Sequence, residues 1–176
     1  MWKKLDDISI VICGAAGQGV QTVEQFLVYL FKNSGYNVFA TKEYMSRVRG
    51  GLNSIEIRVG SKNKKVDAYV NRIDLFVPLH KDATKHIMHR LTEETLILGD
   101  LDTVDIQNSI NQKNVVTFDF LNQAKKVGGK IYANIIAVGT IAGLFSSERD
   151  VGINFLEEKF GKKGKPQQTH PEDTDK

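Results

Sequence analysis

Ile8-Ser9-Ile10-Val11-Ile12-Cys13 runs directly into Gly14-Ala15-Ala16-Gly17-Gln18-Gly19, and that glycine-rich stretch runs into a segment whose apolar positions are Val20, Val23, Phe26, Leu27, Leu30 and Phe31. A β-branched apolar run predicts a buried strand, and spacings of three and four predict a helix. Asn33, Ser34 and Gly35 supply the expected stop. The order is strand, tight loop, helix N-terminus. It aims free backbone N–H groups and the positive end of the helix dipole at one point, which suits an anionic group such as a phosphate. A tight βα turn that binds nothing is the other reading of the same residues.

The loop departs from the dinucleotide fingerprint G-x-G-x-x-G, which is followed about 20 residues on by an acid for the ribose. Here the glycines are Gly14, Gly17 and Gly19, so the short spacing comes last, and the next strand ends in Thr41-Lys42. Glu43 stands close enough to keep an NAD(P)-binding Rossmann enzyme as an alternative. No Gly-Lys-Ser/Thr follows, so this is not a Walker loop.

A chain of 176 residues with 41% apolar content is expected to form one domain with a real core. One cysteine, Cys13, excludes an internal disulfide framework and a four-cysteine zinc or iron–sulfur site. At the end of an apolar strand it reads as a buried, inert thiol. Met1 to Asp7 precede only a short apolar run, too short for a signal h-region or a membrane span, so a soluble cytoplasmic protein is expected. The net charge of +3 is unevenly spread. Between Lys42 and Arg72 eight basic residues face three acids, leaving that stretch at +5 and the remainder at −2. Lys62 to Lys65 reads as a solvated hairpin tip. Arg47 and Arg49 differ, because they stand immediately before Gly50-Gly51. The overall charge is modest, which argues against nucleic acid as a partner.

Along the chain, 37–41 reads as a strand and 42–52 as an irregular or partly helical loop. The alternation in 53–59 predicts a half-exposed strand, and 66–70 is expected to pair back on it as a hairpin. Further strands are expected at 74–79, 96–98 and 115–118. Helices are expected at 81–91, 120–127, 131–145 and 151–160. Gly139 and Gly143, four apart, suggest close backbone packing. The polar residues from Gly161 onward cannot bury a core and are expected to be disordered. Strands alternating with helices define an α/β fold, read as a single three-layer domain over 8–160 with a mixed, largely parallel sheet and a Gly-rich βα loop. Residues 1–7 form an N-terminal extension and 161–176 a tail or linker.

Other constellations are weak. His86 and His89 could share a metal but lack a third ligand. Asp100, Asp102 and Asp105 read as a solvated acidic loop rather than a magnesium site. Ser46, Ser54 and His80 offer no triad order. No base and nucleophile pair stands out, so the chain is not expected to carry chemistry alone, and no catalytic residue is assigned.

Gly14-Ala15-Ala16-Gly17-Gln18-Gly19-Val20 and Ser46-Arg47-Val48-Arg49-Gly50-Gly51-Leu52-Asn53 together resemble the γ component of 2-oxoacid:ferredoxin oxidoreductases, the family acting on pyruvate and 2-oxoglutarate. That family has a G-x-G-G-Q-G-V loop followed some thirty residues later by R-G-G and a strand, with Ala16 here replacing a usual glycine. Asn134 to Gly139 resembles the family's Asn-led helix. The resemblance covers about residues 8 to 160. It implies a hetero-oligomer that decarboxylates a 2-oxoacid on thiamine diphosphate, passes electrons through [4Fe–4S] clusters to ferredoxin, and acylates coenzyme A. Thiamine diphosphate and the clusters belong to partner subunits or domains, and this chain is either a free γ subunit or the N-terminal domain of a fused one. The cofactor-binding set it implies is Gly14, Gly17, Gln18, Gly19, Val20, Lys42, Arg47, Arg49, Gly50 and Gly51. The Gly17–Val20 loop would take the coenzyme A pyrophosphate, with at least one of Lys42, Arg47 and Arg49 on a phosphate.

Overall fold

The computed structural model describes residues 6–15, 19–44, 51–100, 103–104, 114–129, 132–145 and 149–161, apart from the side chains of 159 and 160. Strand β1 (Asp7–Ala15) leads to helix α1 (Val20–Asn33), then to β2 (Asn37–Tyr44), β3 (Leu52–Gly60) and β4 (Leu75–Pro78). Helix α2 (Ala83–Ile87) continues as a 3-10 turn to Arg90. It is followed by β5 (Leu96–Gly99), β6 (Val115–Thr117), α3 (Phe120–Val127), α4 (Ala133–Leu144) and α5 (Arg149–Phe160). The six strands form one sheet in the order β2-β3-β1-β4-β5-β6. β3 runs antiparallel to both of its neighbours, and β1, β4, β5 and β6 are parallel. The expected mixed, largely parallel α/β sheet is therefore present.

The alternation of β1 divides the core. Ile8, Ile10 and Ile12 join Val20, Val23, Phe26, Leu27, Leu30 and Phe31 of α1, together with Phe120, Ala137, Val138, Ile141 and Phe155. Val11 and Cys13 face the other side, where Phe76, Ala83, Ile87 and Ile97 meet them. Each large apolar side chain so buried contributes about 1.5–3 kcal/mol. α1 stops as its sequence predicts. Gly35 has φ 82°, and the amides of Gly35 and Tyr36 donate to the carbonyls of Lys32 and Phe31 at 3.0 Å, satisfying carbonyls the helix leaves open. α5 docks on α1 through Phe155, whose ring centroid lies 5.0 Å from Phe26 and 5.1 Å from Tyr29.

Several expectations are corrected. Residues 66–70 form no strand, because β1 and β2 already occupy both edges of β3 and leave no place for a return. Lys62 to Lys65 are exposed, as expected of a solvated turn, but no hairpin closes there. Lys42 to Tyr44 are not loop: they extend β2 by pairing with Asn53 to Ile55. β3 is not half-exposed, since Ser54 and Glu56 are buried on its polar side. Finally, Gly139 and Gly143 do not mediate close packing. A Cβ built at either meets nothing within 4 Å, because α4 turns Ala137, Val138 and Ile141 inward instead. The tail from residue 162 lies outside the described residues.

Candidate functional site

Gly19 opens α1 in a left-handed conformation, φ 77° and ψ 16°. That conformation favours glycine. The amides of Thr22 and Val23 donate to the Gly19 carbonyl at 2.9 and 3.2 Å. The amides of Gly19, Val20 and Gln21 precede this ladder and have no intrahelical carbonyl to meet. No acid stands in the first turn to occupy them.

These residues border a cavity of about 240 Å³, also lined by Ala15, Lys42, Tyr44 and Asn53. Cofactor pockets commonly measure about 300–1,000 Å³. The cavity therefore suits one part of such a molecule, for which an anionic group fits the amides. The strand register explains its position. Ala15 pairs with Leu52, and Tyr44 pairs with Asn53. The Gly-rich stretch after Ala15 and the stretch between Tyr44 and Gly51 are thus anchored at the same end of the sheet. Asn134, at the start of α4, reaches this point too. Its Nδ2 lies 3.5 Å from where a Cβ on Gly19 would be.

The expected site residues fall into three groups. Gly19, Val20 and Lys42 line the cavity. Gly14 does not: it is buried within β1 and pairs with Asn53, because the strand runs on to Ala15. Gly51 sits just before β3 with φ 64°. Gly17, Gln18, Arg47, Arg49 and Gly50 lie outside the described residues, as do Ala16 and Ser46. Lys42 is already engaged, with Nζ 2.7 Å from Glu24 Oε2, and that carboxylate holds the ammonium's pKa above its ordinary value. Glu24 was not legible as a site residue. Its signal is a charged residue four after Val20 and three before Leu27, in phase with the apolar face of α1.

A second cavity of about 390 Å³ lies on the other side of the sheet, lined among others by Glu43, Ser54, Glu56, Tyr69, His86 and Arg90. Arg90 Nη2 donates to Glu56 Oε2 at 2.8 Å, and its guanidinium lies 5.0 Å from the centre of the Tyr69 ring. Both side chains of the ion pair are about nine-tenths buried. Glu43 accepts a 3.3 Å hydrogen bond from Ser54 Oγ and lines this cavity, not the one at the glycine turn. Burial pushes the nearby Cys13 thiol up to about 12, with the Glu43 charge adding to the effect, so Cys13 is a protonated thiol of low reactivity. His86 and His89 both line the second cavity, yet no cluster of three metal-ligating side chains occurs among the described residues. Asp100 is buried and accepts from the Leu121 amide at 3.4 Å, which corrects its reading as solvated; Asp102 and Asp105 lie outside the described residues. His80 Nδ1 accepts from the Asp82 amide at 3.2 Å. No described helix is long and apolar enough to cross a membrane.

Residues 9–169 match the family described as pyruvate ferredoxin/flavodoxin oxidoreductase, and the chain belongs to that family. The resemblance to the γ component, read from the Gly-Gln-Gly and Arg-Gly-Gly segments, is borne out. The chain is 26% identical over 139 residues to the 2-oxoglutarate synthase subunit KorC of Archaeoglobus fulgidus, covering 78% of this chain and 71% of that one. Its fold is similar to that of the γ subunit of a keto/oxoacid ferredoxin oxidoreductase from Geobacter sulfurreducens, with TM-score 0.68, 22% identity and coverage of 86% of each chain. It is also similar to the 2-oxoglutarate:ferredoxin oxidoreductase of Magnetococcus marinus, solved with 2-oxoglutarate, coenzyme A and succinyl-CoA bound. There the TM-score is 0.79 at 21% identity, over 92% of this chain but 28% of the other.

Proposed function

We propose that this chain serves as the γ component of a hetero-oligomeric 2-oxoacid:ferredoxin oxidoreductase and that its glycine turn helps bind coenzyme A during oxidative decarboxylation. The observation that carries the reading is the register that anchors both motif-bearing connections at one end of the sheet, beside the open amides of α1. The coenzyme A bound in the Magnetococcus relative supports the choice of ligand. Gly19, Val20 and Gln21 would meet the pyrophosphate through their amides, with Lys42, Arg47 or Arg49 on phosphate oxygens. When bound, coenzyme A supplies the thiol that accepts the acyl group. One buried cysteine cannot ligate a [4Fe–4S] cluster, so clusters are assigned to partner subunits; the family resemblance assigns thiamine diphosphate there too, with ferredoxin reached through the assembly.

The NAD(P) alternative finds no support. A dinucleotide fold places the second strand directly beside the first, whereas here antiparallel β3 separates β1 from β2. Glu43, the acid that could have met a ribose, lines the opposite cavity.

The test is reconstitution of the complex with Arg47→Ala and Arg49→Ala. Loss of a phosphate contact should weaken coenzyme A binding by about 1.5–3 kcal/mol, and by less at high salt. Normal affinity with failed assembly would replace the ligand role by an interface role.

A further inference from the structure

We propose that Glu24 is a specificity-determining residue of the glycine-turn cavity: it holds the Lys42 ammonium in a pair that only a multiply charged anion can take over. The inference rests on the anion-site reading given above.

Glu24 lies on the core-facing side of α1 and is 9% exposed. A carboxylate there is expensive, and an apolar residue would serve the packing of α1 on the sheet better. Among the described residues its partner is Lys42, whose Nζ lies 2.7 Å from Oε2. Among the described residues, the buried carboxylate therefore rests on one cation. That cation belongs to a side chain lining the cavity beside the open amides of Gly19, Val20 and Gln21. Lys42 is 28% exposed at its side chain, so the ammonium can swing towards the cavity.

The consequence is a threshold. A singly charged anion in the cavity offers Lys42 no more than Glu24 already does, and capturing Lys42 would leave Glu24 buried without a counter-ion. A pyrophosphate carries enough charge to engage the helix amides and Lys42 together, and that gain offsets the exposed deficit at Glu24. Glu24 thus lowers affinity for every anion and excludes weak ones, such as acetate.

Calorimetric titration of the full chain with inorganic pyrophosphate, acetate and coenzyme A tests this in wild type, Glu24→Gln and the double variant Glu24→Gln/Lys42→Met. Glu24→Gln should bind pyrophosphate about tenfold more tightly and gain measurable acetate binding. Both gains should vanish in the double variant, which leaves no buried charge unpaired. Unchanged or weaker pyrophosphate binding by Glu24→Gln, or a gain that persists without Lys42, overturns the proposal. Absence of pyrophosphate binding in both wild type and Glu24→Gln also overturns it. Pyrophosphate binding without coenzyme A binding overturns the coenzyme A reading alone. A readout that needs no variant is the NMR resonance of ¹³C-methylated Lys42 in the wild-type chain. It should move on saturation with pyrophosphate and stay fixed with acetate; a resonance unmoved by bound pyrophosphate contradicts the proposal.

Discussion

The side-chain amide of Asn134 stands 3.5 Å from the point where a Cβ on Gly19 would lie. That proximity sets the head of α4 beside the N-cap of α1, so three segments distant in sequence approach one corner of the sheet: Gly19 at the start of α1, the β2–β3 end and the head of α4. A methyl group at Gly19 would make an ordinary contact with Asn134, so the demand for glycine comes from the backbone.

Gly19→Ala should therefore destabilise the chain by about 1–2 kcal/mol, the penalty for a left-handed L-residue, without a steric clash. Denaturant midpoints measure this. Gly19→Val adds branching to the same strained backbone, so lost binding in that variant would not isolate ligand approach. No loss in Gly19→Ala would show that the turn is not left-handed.

The Arg90–Glu56 pair makes a second prediction. Both side chains are buried, and Ser9 Oγ donates to the other Glu56 oxygen at 3.4 Å. Arg90→Met leaves a buried carboxylate uncompensated and should cost about 3–5 kcal/mol. Adding Glu56→Gln should recover most of that loss. Equal instability of the single and double variants would mean that Arg90 acts through packing on Tyr69 instead.

Acid sensitivity should trace in part to Asp7. Burial raises its pKa, but the Arg58 hydrogen bond and charge, with Arg72 and Lys64, outweigh burial and hold it below 3.8. Arg58 Nε lies 2.7 Å away and Arg72 Nη2 3.3 Å. A depressed native pKa means that the stabilisation is complete above 3.8 and is lost as pH falls through the native value. Asp7→Asn should cost about 1–2 kcal/mol at neutral pH, with the gap to wild type closing below the ordinary carboxylate range. Thermal unfolding at several pH values measures it; a gap that persists in acid contradicts the assignment.

The first βα unit was legible because its signals agree: β-branched apolar residues, then a three-four repeat, then Gly35. The edges of β2 and β3 were not. Lys42 and Glu43 have little strand propensity of their own and are drawn into the sheet by pairing with Ile55 and Ser54. Val66 to Val70 has the propensity but no free edge. Glu56 alternates as a solvent-facing residue should, yet Arg90, far along the chain, covers it. Of the residues expected at the site, Gly19 and Val20 border the cavity, whereas Gly14 is absorbed into β1. Glu24 is inconspicuous in the sequence because its neighbours satisfy the helical pattern without it.

The most direct test of coenzyme A binding at the glycine turn is amide NMR on the isotopically labelled full chain during titration with coenzyme A. The account predicts saturable shifts at Gly19, Val20 and Gln21, weakened by high salt. Saturation by coenzyme A with those amides unmoved would contradict it.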